Sequence, residues 1–363
     1  MLQEVRQMRI SDLGGRALTY FIATAMLAGC AGVSPLQQRF AGSNSAAQLR
    51  AHGIIGLSPE LLRFAHSERR HSWMAPDAKK TPSLLYVADE DSNDVYVYSY
   101  PAGKLKGMLT GFNTPAGMCS NKAGDVFILN GGGTTVEVYA HGGSAPLRTL
   151  DLPGYPELNC TVDPTTGNLA LGTLGGSCGD CIAVFADAQG IATTYEPSGQ
   201  DGIPGCGYDN SGNLFCDAYG VEDSATFELF ELPEGSYNLT KIAVNYSGLK
   251  SGPVQWDGKY LAIGSGATGT IYQLQLSGST GSVEGSTSLS GTGWVWQFWI
   301  AKTQGGKRVP QGTRIIAPTY AGSDGAEVAY WSYPAGGDPT KTITNEYFSQ
   351  PDGATLSTIK KKS

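Results

Sequence analysis

From residue 81 onward, apolar and polar positions alternate in short runs, the two-residue period of strands that send successive side chains to opposite faces. Six such runs recur: Val95-Tyr96-Val97-Tyr98, Val136-Glu137-Val138-Tyr139, Ile182-Ala183-Val184-Phe185, Phe227-Glu228-Leu229-Phe230, Ile271-Tyr272-Gln273-Leu274 and Val328-Ala329-Tyr330-Trp331. Their first residues lie 41, 46, 45, 44 and 57 apart. A second apolar run precedes each, from Leu85 to Ala88, Val126 to Leu129, Leu169 to Gly172, Leu214 to Asp217, Tyr260 to Ile263 and Ile315 to Pro318. Most of these follow a hairpin signal with glycine beside asparagine or aspartate, such as Gly124-Asp125, Gly167-Asn168 or Gly212-Asn213. Further upstream, Pro115-Ala116-Gly117-Met118-Cys119 and Pro204-Gly205-Cys206-Gly207-Tyr208 supply a third element. Ser99-Tyr100-Pro101-Ala102-Gly103 returns unchanged as Ser332-Tyr333-Pro334-Ala335-Gly336. Each period therefore holds three or four short strands and no helix.

A period of roughly 40 to 45 residues with four strands is the spacing of propeller blades. Six copies predict an all-β, six-bladed β-propeller over 81–363. Two sandwich domains would leave the even repeat unexplained. The first copy lacks a Pro-x-Gly inner strand, and Gln350-Pro351-Asp352-Gly353-Ala354-Thr355-Leu356 supplies one at the other end of the chain. The C-terminal strand is thus expected to close the first blade and hide its edge. The proline-glycine inner strand, the glycine turn, Leu85-Tyr86-Val87-Ala88-Asp89 and the Val-x-Val-Tyr run together resemble the NHL and SMP-30-like six-bladed propellers.

Charge changes along the chain. The first 80 residues carry ten Lys/Arg against five Asp/Glu, leaving 15 against 27, or −12, for the remainder. A folded part that acidic is a poor match for phosphate backbones, so no nucleic-acid partner is expected. The 50 glycines among 363 residues agree with many tight turns.

Arg6, Arg9 and Arg16 precede an uncharged run from Ala17 to Ala28 that suits a signal-peptide core and is short for a membrane anchor. The run ends in Leu27-Ala28-Gly29-Cys30, which resembles the lipobox of bacterial lipoproteins; the resemblance implies cleavage before Cys30 and diacylglycerol on its thiol. An ordinary secretory signal with a chance cysteine is the alternative, and either exports the chain. Ala31 in place of aspartate after that cysteine favours, by analogy with enterobacterial sorting, the outer membrane. Residues 30–80, with three of the four histidines and no sustained hydrophobic period, read as a flexible basic tether. A short helix is plausible from Pro59 to His66, capped by Ser58. The membrane is then reached through the N-terminal lipid.

Six cysteines remain beyond Cys30, an even number that fits an exported, disulfide-bonded protein. Cys206 and Cys216 are symmetric about Ser211 on one hairpin, Cys119 and Cys160 take what reads as the same inner-strand position in adjacent blades with Cys206 as the third equivalent, and Cys178-Gly179-Asp180-Cys181 can close on itself. A redox pair or half a zinc site is the alternative for the last, although neither a helix N-terminus nor a second pair accompanies it.

Catalytic signals are thin. Beyond the tether the one histidine, His141, falls in the turn Ala140-His141-Gly142-Gly143 and reads as a solvated turn residue, so no catalytic residue and no cofactor is assigned. SMP-30-like lactonases hold a divalent ion at the axial mouth; here Glu157, Asn159, Asn113, Asp201, Gln255 and Asp352 precede or start inner strands, yet they do not follow that family's ligand pattern. Turn polarity is the blander account of them. Trp294-Val295-Trp296-Gln297-Phe298-Trp299 is the other cluster; alternation puts Trp294, Trp296 and Phe298 on one face and Trp299 on the other, where aromatics stack on a sugar or cofactor or else fill the wedge between blades. The expected function is a non-catalytic binding or scaffold module of the cell envelope, with a protein or small-molecule ligand at the propeller face. A metal-dependent lactonase-like hydrolase and a sugar- or cofactor-binding module using the tryptophans are the alternatives.

Overall fold

The computed structural model describes residues 71–197, 202–219, 227–265, 268–292, 295–303, 312–320 and 326–359. The Cys30 box and the helix expected from Pro59 to His66 lie outside them. The described residues form strands, the turns and loops that join them, and three single-turn 3-10 helices.

Along the chain, β1 (Trp73–Met74), β2 (Ser83–Asp89), β3 (Asp94–Ser99) and β4 (Lys104–Leu109) belong to the first sheet. The strands β5 (Pro115–Ser120), β6 (Val126–Asn130), β7 (Thr135–Tyr139) and β8 (Pro146–Asp151) form a second, antiparallel meander, and β9 (Tyr155–Val162), β10 (Leu169–Leu174), β11 (Cys181–Phe185) and β12 (Thr193–Tyr195) a third. Next come β13 (Gly205–Tyr208), β14 (Leu214–Tyr219), β15 (Phe227–Leu232) and β16 (Thr240–Val244), then β17 (Val254–Trp256), β18 (Leu261–Ser265), β19 (Thr270–Ser277) and β20 (Thr280–Ser288). These two meanders join into one eight-stranded sheet through a parallel contact of their outer strands, Ala243 opposite Thr280 and Val244 opposite Gly281. The last four-stranded sheet is β21 (Trp299–Thr303), β22 (Gly312–Tyr320), β23 (Ala326–Tyr333) and β24 (Lys341–Thr344). Finally β25 (Pro351–Thr358) returns to β2, giving the first sheet the order β1-β4-β3-β2-β25. Leu85 faces Leu356 and Val87 faces Ala354 in that pairing. The closing strand expected from the Pro351 repeat is therefore in place.

Each second strand is buried on both faces, which is why it reads as a continuous apolar run. Along β2, Leu84, Tyr86 and Ala88 pack with Val126 and Ile128 of the second sheet, whereas Leu85 and Val87 pack with Ile316, Val328 and Tyr330 of the last. Along β6, Phe127 and Leu129 turn the other way, onto Leu169 and Leu171 of the third. The same division continues through Ala170 with Leu214, through Phe215 with Leu261 and through Ala262 with Ile315. Every apolar cluster thus lies between consecutive meanders, and one lies between the last and the first. The sheets have a propeller-like arrangement.

Inner strands approach closely where a side chain would not fit. A Cβ on Gly117 would meet the Leu158 carbonyl of β9, and one on Gly353 the Ala116 carbonyl of β5. Hairpin turns repeat one device: Asn121 Oδ1 accepts from the Ala123 and Asp125 amides, and Asp209 Oδ1 from those of Ser211 and Asn213, while Gly124 and Gly212 take φ of 91° and 90°. The folded part also starts before residue 81. Trp73 and Met74 pair with Met108 and Gly107 in the first sheet, and Ala78 of the following 3-10 turn is fully buried with Leu84, Tyr86 and Leu109.

Candidate functional site

Three side-chain amides clasp the inner strands to one another. Asn159 on β9 is fully buried; its Oδ1 accepts from the Cys206 amide at 2.9 Å and its Nδ2 donates to the Val254 carbonyl at 3.2 Å, reaching β13 and β17 together. Gln255 on β17 donates to Phe298 O at 2.9 Å and accepts from Ile300 N at 2.9 Å. Gln297, also fully buried, accepts from Met118 N at 3.1 Å and Ala354 N at 2.9 Å and donates to Met118 O. Polar groups that the sequence offered as candidate ligands are thereby spent on backbone. Sequence reasoning passed over Gln297 because it sits inside an aromatic run.

Carboxylates collect where the inner strands begin. Glu157 has one buried oxygen with no partner, and burial, with Asp180 nearby, pushes its pKa up to about 7. Asp217, fully buried, accepts from the Gly252 amide at 2.7 Å, leaves Oδ1 unpartnered and is pushed well up by burial. Asp352 is raised to about 9 by burial first and then by Glu90. Beside it Asp89 accepts from the Ser92 and Ser349 amides, yet burial still raises it. Among the described residues no three His, Cys, Asp or Glu side chains form a group that could hold a metal ion. Asn113 is exposed and donates to Gly132 O in the turn between β6 and β7, and Asp201 lies outside the described residues.

All six cysteines among the described residues are paired, as Cys119–Cys160, Cys178–Cys181 and Cys206–Cys216. Cys206 and Cys216 are opposed on their hairpin, as their symmetry implies. For Cys119 the equivalence read from sequence is off by one. Cys160 pairs with Leu171 and Cys206 with Cys216, each third in its second strand, whereas Cys119 pairs with Phe127, second in its own. Equivalent positions would point the same way from their own sheets, so one would face away from the other. The one-residue offset turns Cys119 toward the third sheet, into the cluster that also holds Cys160.

His141 is no solvated turn residue either. It is 9% exposed, with Nε2 2.7 Å from the Thr81 carbonyl and Nδ1 2.7 Å from the Ser357 hydroxyl. The carbonyl only accepts, so Nε2 carries a proton. Burial holds the imidazole pKa below its usual value, and the Ser357 hydroxyl beside Nδ1 gives its one proton to the Gly124 carbonyl.

The aromatic cluster does not alternate as expected, because β21 starts only at Trp299 and irregular backbone precedes it. Phe298 is fully buried and Trp296 38% exposed, while Val295 and Gln297 are buried too. Trp294 lies outside the described residues. Trp299 is half-buried, packing against the cluster between the second and third sheets and against the one between the last and the first. Its open side lines a cavity of about 760 Å³ at the far ends of the inner strands, with Lys122, Val162, Lys302 and Leu356 among its walls.

No family model matches the chain, and no curated protein matches it. Solved structures do. A protein of unknown function from Bacteroides caccae is similar at a TM-score of 0.53 and 14% identity, over 76% of this chain and 99% of that one. A chain in a nidogen/laminin complex is similar at 0.55 and 12% identity, over 76% and 98%. At such identities the likeness shows the fold alone, a β-propeller-like all-β arrangement.

Proposed function

We propose that this chain is an exported lipoprotein, anchored through Cys30, whose six-bladed propeller serves the cell envelope as a non-catalytic binding module. Counting each four-stranded meander as one blade gives six, and the cluster of Leu85, Val87, Ile316 and Tyr330 between the last and the first supports a closed ring. The likeness to NHL and SMP-30-like propellers, read from the sequence, fits this count. Three disulfides support an oxidising, extracytoplasmic setting.

One observation carries the non-catalytic reading: Asn159, Gln255 and Gln297 give their amides to neighbouring backbones, so the axis is built as a clasp. The lactonase-like alternative finds no metal-binding group among the described residues. A protein partner fits the setting of the neighbour in the nidogen/laminin complex. Mass spectrometry of the membrane fraction should find diacylglycerol on Cys30, and Cys30→Ser should release the chain. Unlipidated, soluble wild type would remove the anchor from this reading. Photo-cross-linking in intact envelopes should capture a partner, and lactone or ester turnover dependent on a divalent metal would replace binding by catalysis.

A further inference from the structure

The cavity at Trp299 differs chemically from the opposite end of the axis. The inner strands begin among Glu157, Asp217 and Asp352 and end, at Ser120, Val162 and Thr358, around this cavity. Its neutral polar side chains are already engaged. Ser120 donates to Leu356 O at 2.7 Å, the Thr358 hydroxyl meets Ser83 at 3.1 Å, and Asn121 is bound within its own turn. Asp163 is committed as well, accepting from the Thr165 amide and hydroxyl at 2.7 Å each and from Thr166.

What remains free is cationic and apolar. Lys122 donates to the Pro164 carbonyl and keeps two further N–H groups, and neither it nor Lys302 belongs to the ion pairs found among the described residues, Lys106–Asp77 and Lys241–Glu228. Trp299 offers a flat ring held from behind by two core clusters, continued by Val162 and Leu356. A volume of about 760 Å³ suits a small molecule.

We infer that this cavity binds a small organic anion with a flat apolar body, its ring against the Trp299 indole and its anionic head held by Lys122 and Lys302. The inference rests on the binding-module reading and gives it a ligand class. A neutral sugar would seek hydrogen-bond partners that are occupied here.

Calorimetry on the full chain tests it with 2-naphthoate, with uncharged 2-naphthamide, and with D-glucuronate, which has the charge without the aromatic body. Naphthoate should bind saturably at one site and at least about tenfold more tightly than either comparator. Lys122→Gln and Lys302→Gln should each weaken it by about tenfold without altering the melting temperature, the loss expected when a charged hydrogen bond is removed. Equal binding of the amide, tighter binding of glucuronate, or indifference to both lysine substitutions would overturn the inference. If naphthoate fails to bind while envelope cross-linking persists, this ligand class falls and the binding-module reading stands.

Discussion

His141 Nδ1 lies 2.7 Å from Ser357 Oγ, although 216 residues separate the two in sequence. The contact ties the turn after β7 to the strand that closes the first sheet, and the same ring reaches Thr81 O at the start of β2. β25 is therefore held by edge pairing with β2 and by a buried side chain from the neighbouring sheet. Deleting residues 350–363 should lower the melting temperature far more than deleting residues 31–70, because it exposes the edge of β2 and opens the apolar face carrying Leu85 and Val87. Thermal unfolding of the two truncations decides it; equal melting temperatures would mean that β25 does not close the ring.

Because burial lowers the His141 pKa in the folded chain, the unfolded chain takes up the proton first as pH falls. The stability due to the neutral ring is present above the unfolded value of about 6.5 and is lost as pH drops below it, through the folded value. His141→Gln keeps a donor for the Thr81 carbonyl but does not titrate. Urea midpoints at pH 7.5 and 5.5 should fall more for the wild type than for the variant. Parallel shifts would show that the imidazole is not neutral in the folded state.

Asp352 behaves in the opposite sense. With its pKa raised to about 9 by burial and Glu90, the folded chain holds a proton there that the unfolded chain releases near 3.8. Its contribution is complete below about 3.8 and declines as pH rises through about 9. Asp352→Asn should thus gain stability relative to wild type between pH 5 and pH 9, measured by melting temperature across that range. A constant difference would place the carboxyl in a wetter setting than the buried one seen here.

The strands were legible because burying both faces of a second strand, as with Leu84 against Leu85, writes an uninterrupted apolar run into the chain. The pairing of Cys206 with Cys216 was legible for a local reason, the symmetric hairpin. His141 was not, since its glycine-rich turn looks solvated and its partners come from distant parts of the chain. Burial of Glu157 and Asp217 is equally invisible in sequence, where both look like ordinary loop polarity. The two-residue strand Trp73–Met74 carries too short a pattern to announce itself.

Removing the disulfides one at a time should rank them by the loop each closes. Separations of 41, 10 and 3 residues for Cys119–Cys160, Cys206–Cys216 and Cys178–Cys181 set the order. Chain entropy assigns losses of about 4, 3 and 2 kcal/mol respectively. Denaturant unfolding of the paired serine variants measures them, with non-reducing peptide mapping to verify the pairings in wild type. If Cys178–Cys181 proved the costliest to lose, loop closure would not be what these bonds contribute.

Gln297 offers the sharpest test of the clasped axis. Its Oε1 serves the amides of Met118 and Ala354 at once, in a site fully closed to water. Gln297→Leu keeps a comparable volume but leaves those two buried N–H groups without an acceptor, each worth about 1–3 kcal/mol, so a loss of about 2–6 kcal/mol follows. Gln297→Glu restores the acceptor and loses the bond to Met118 O, and it should unfold more readily as pH rises because ionisation places a buried charge against that carbonyl. Urea unfolding at pH 5 and pH 8 reads both effects. If the leucine variant were as stable as wild type, the amide would not be what joins β21, β5 and β25, and the structural account of the axis would have to rest on the apolar clusters alone.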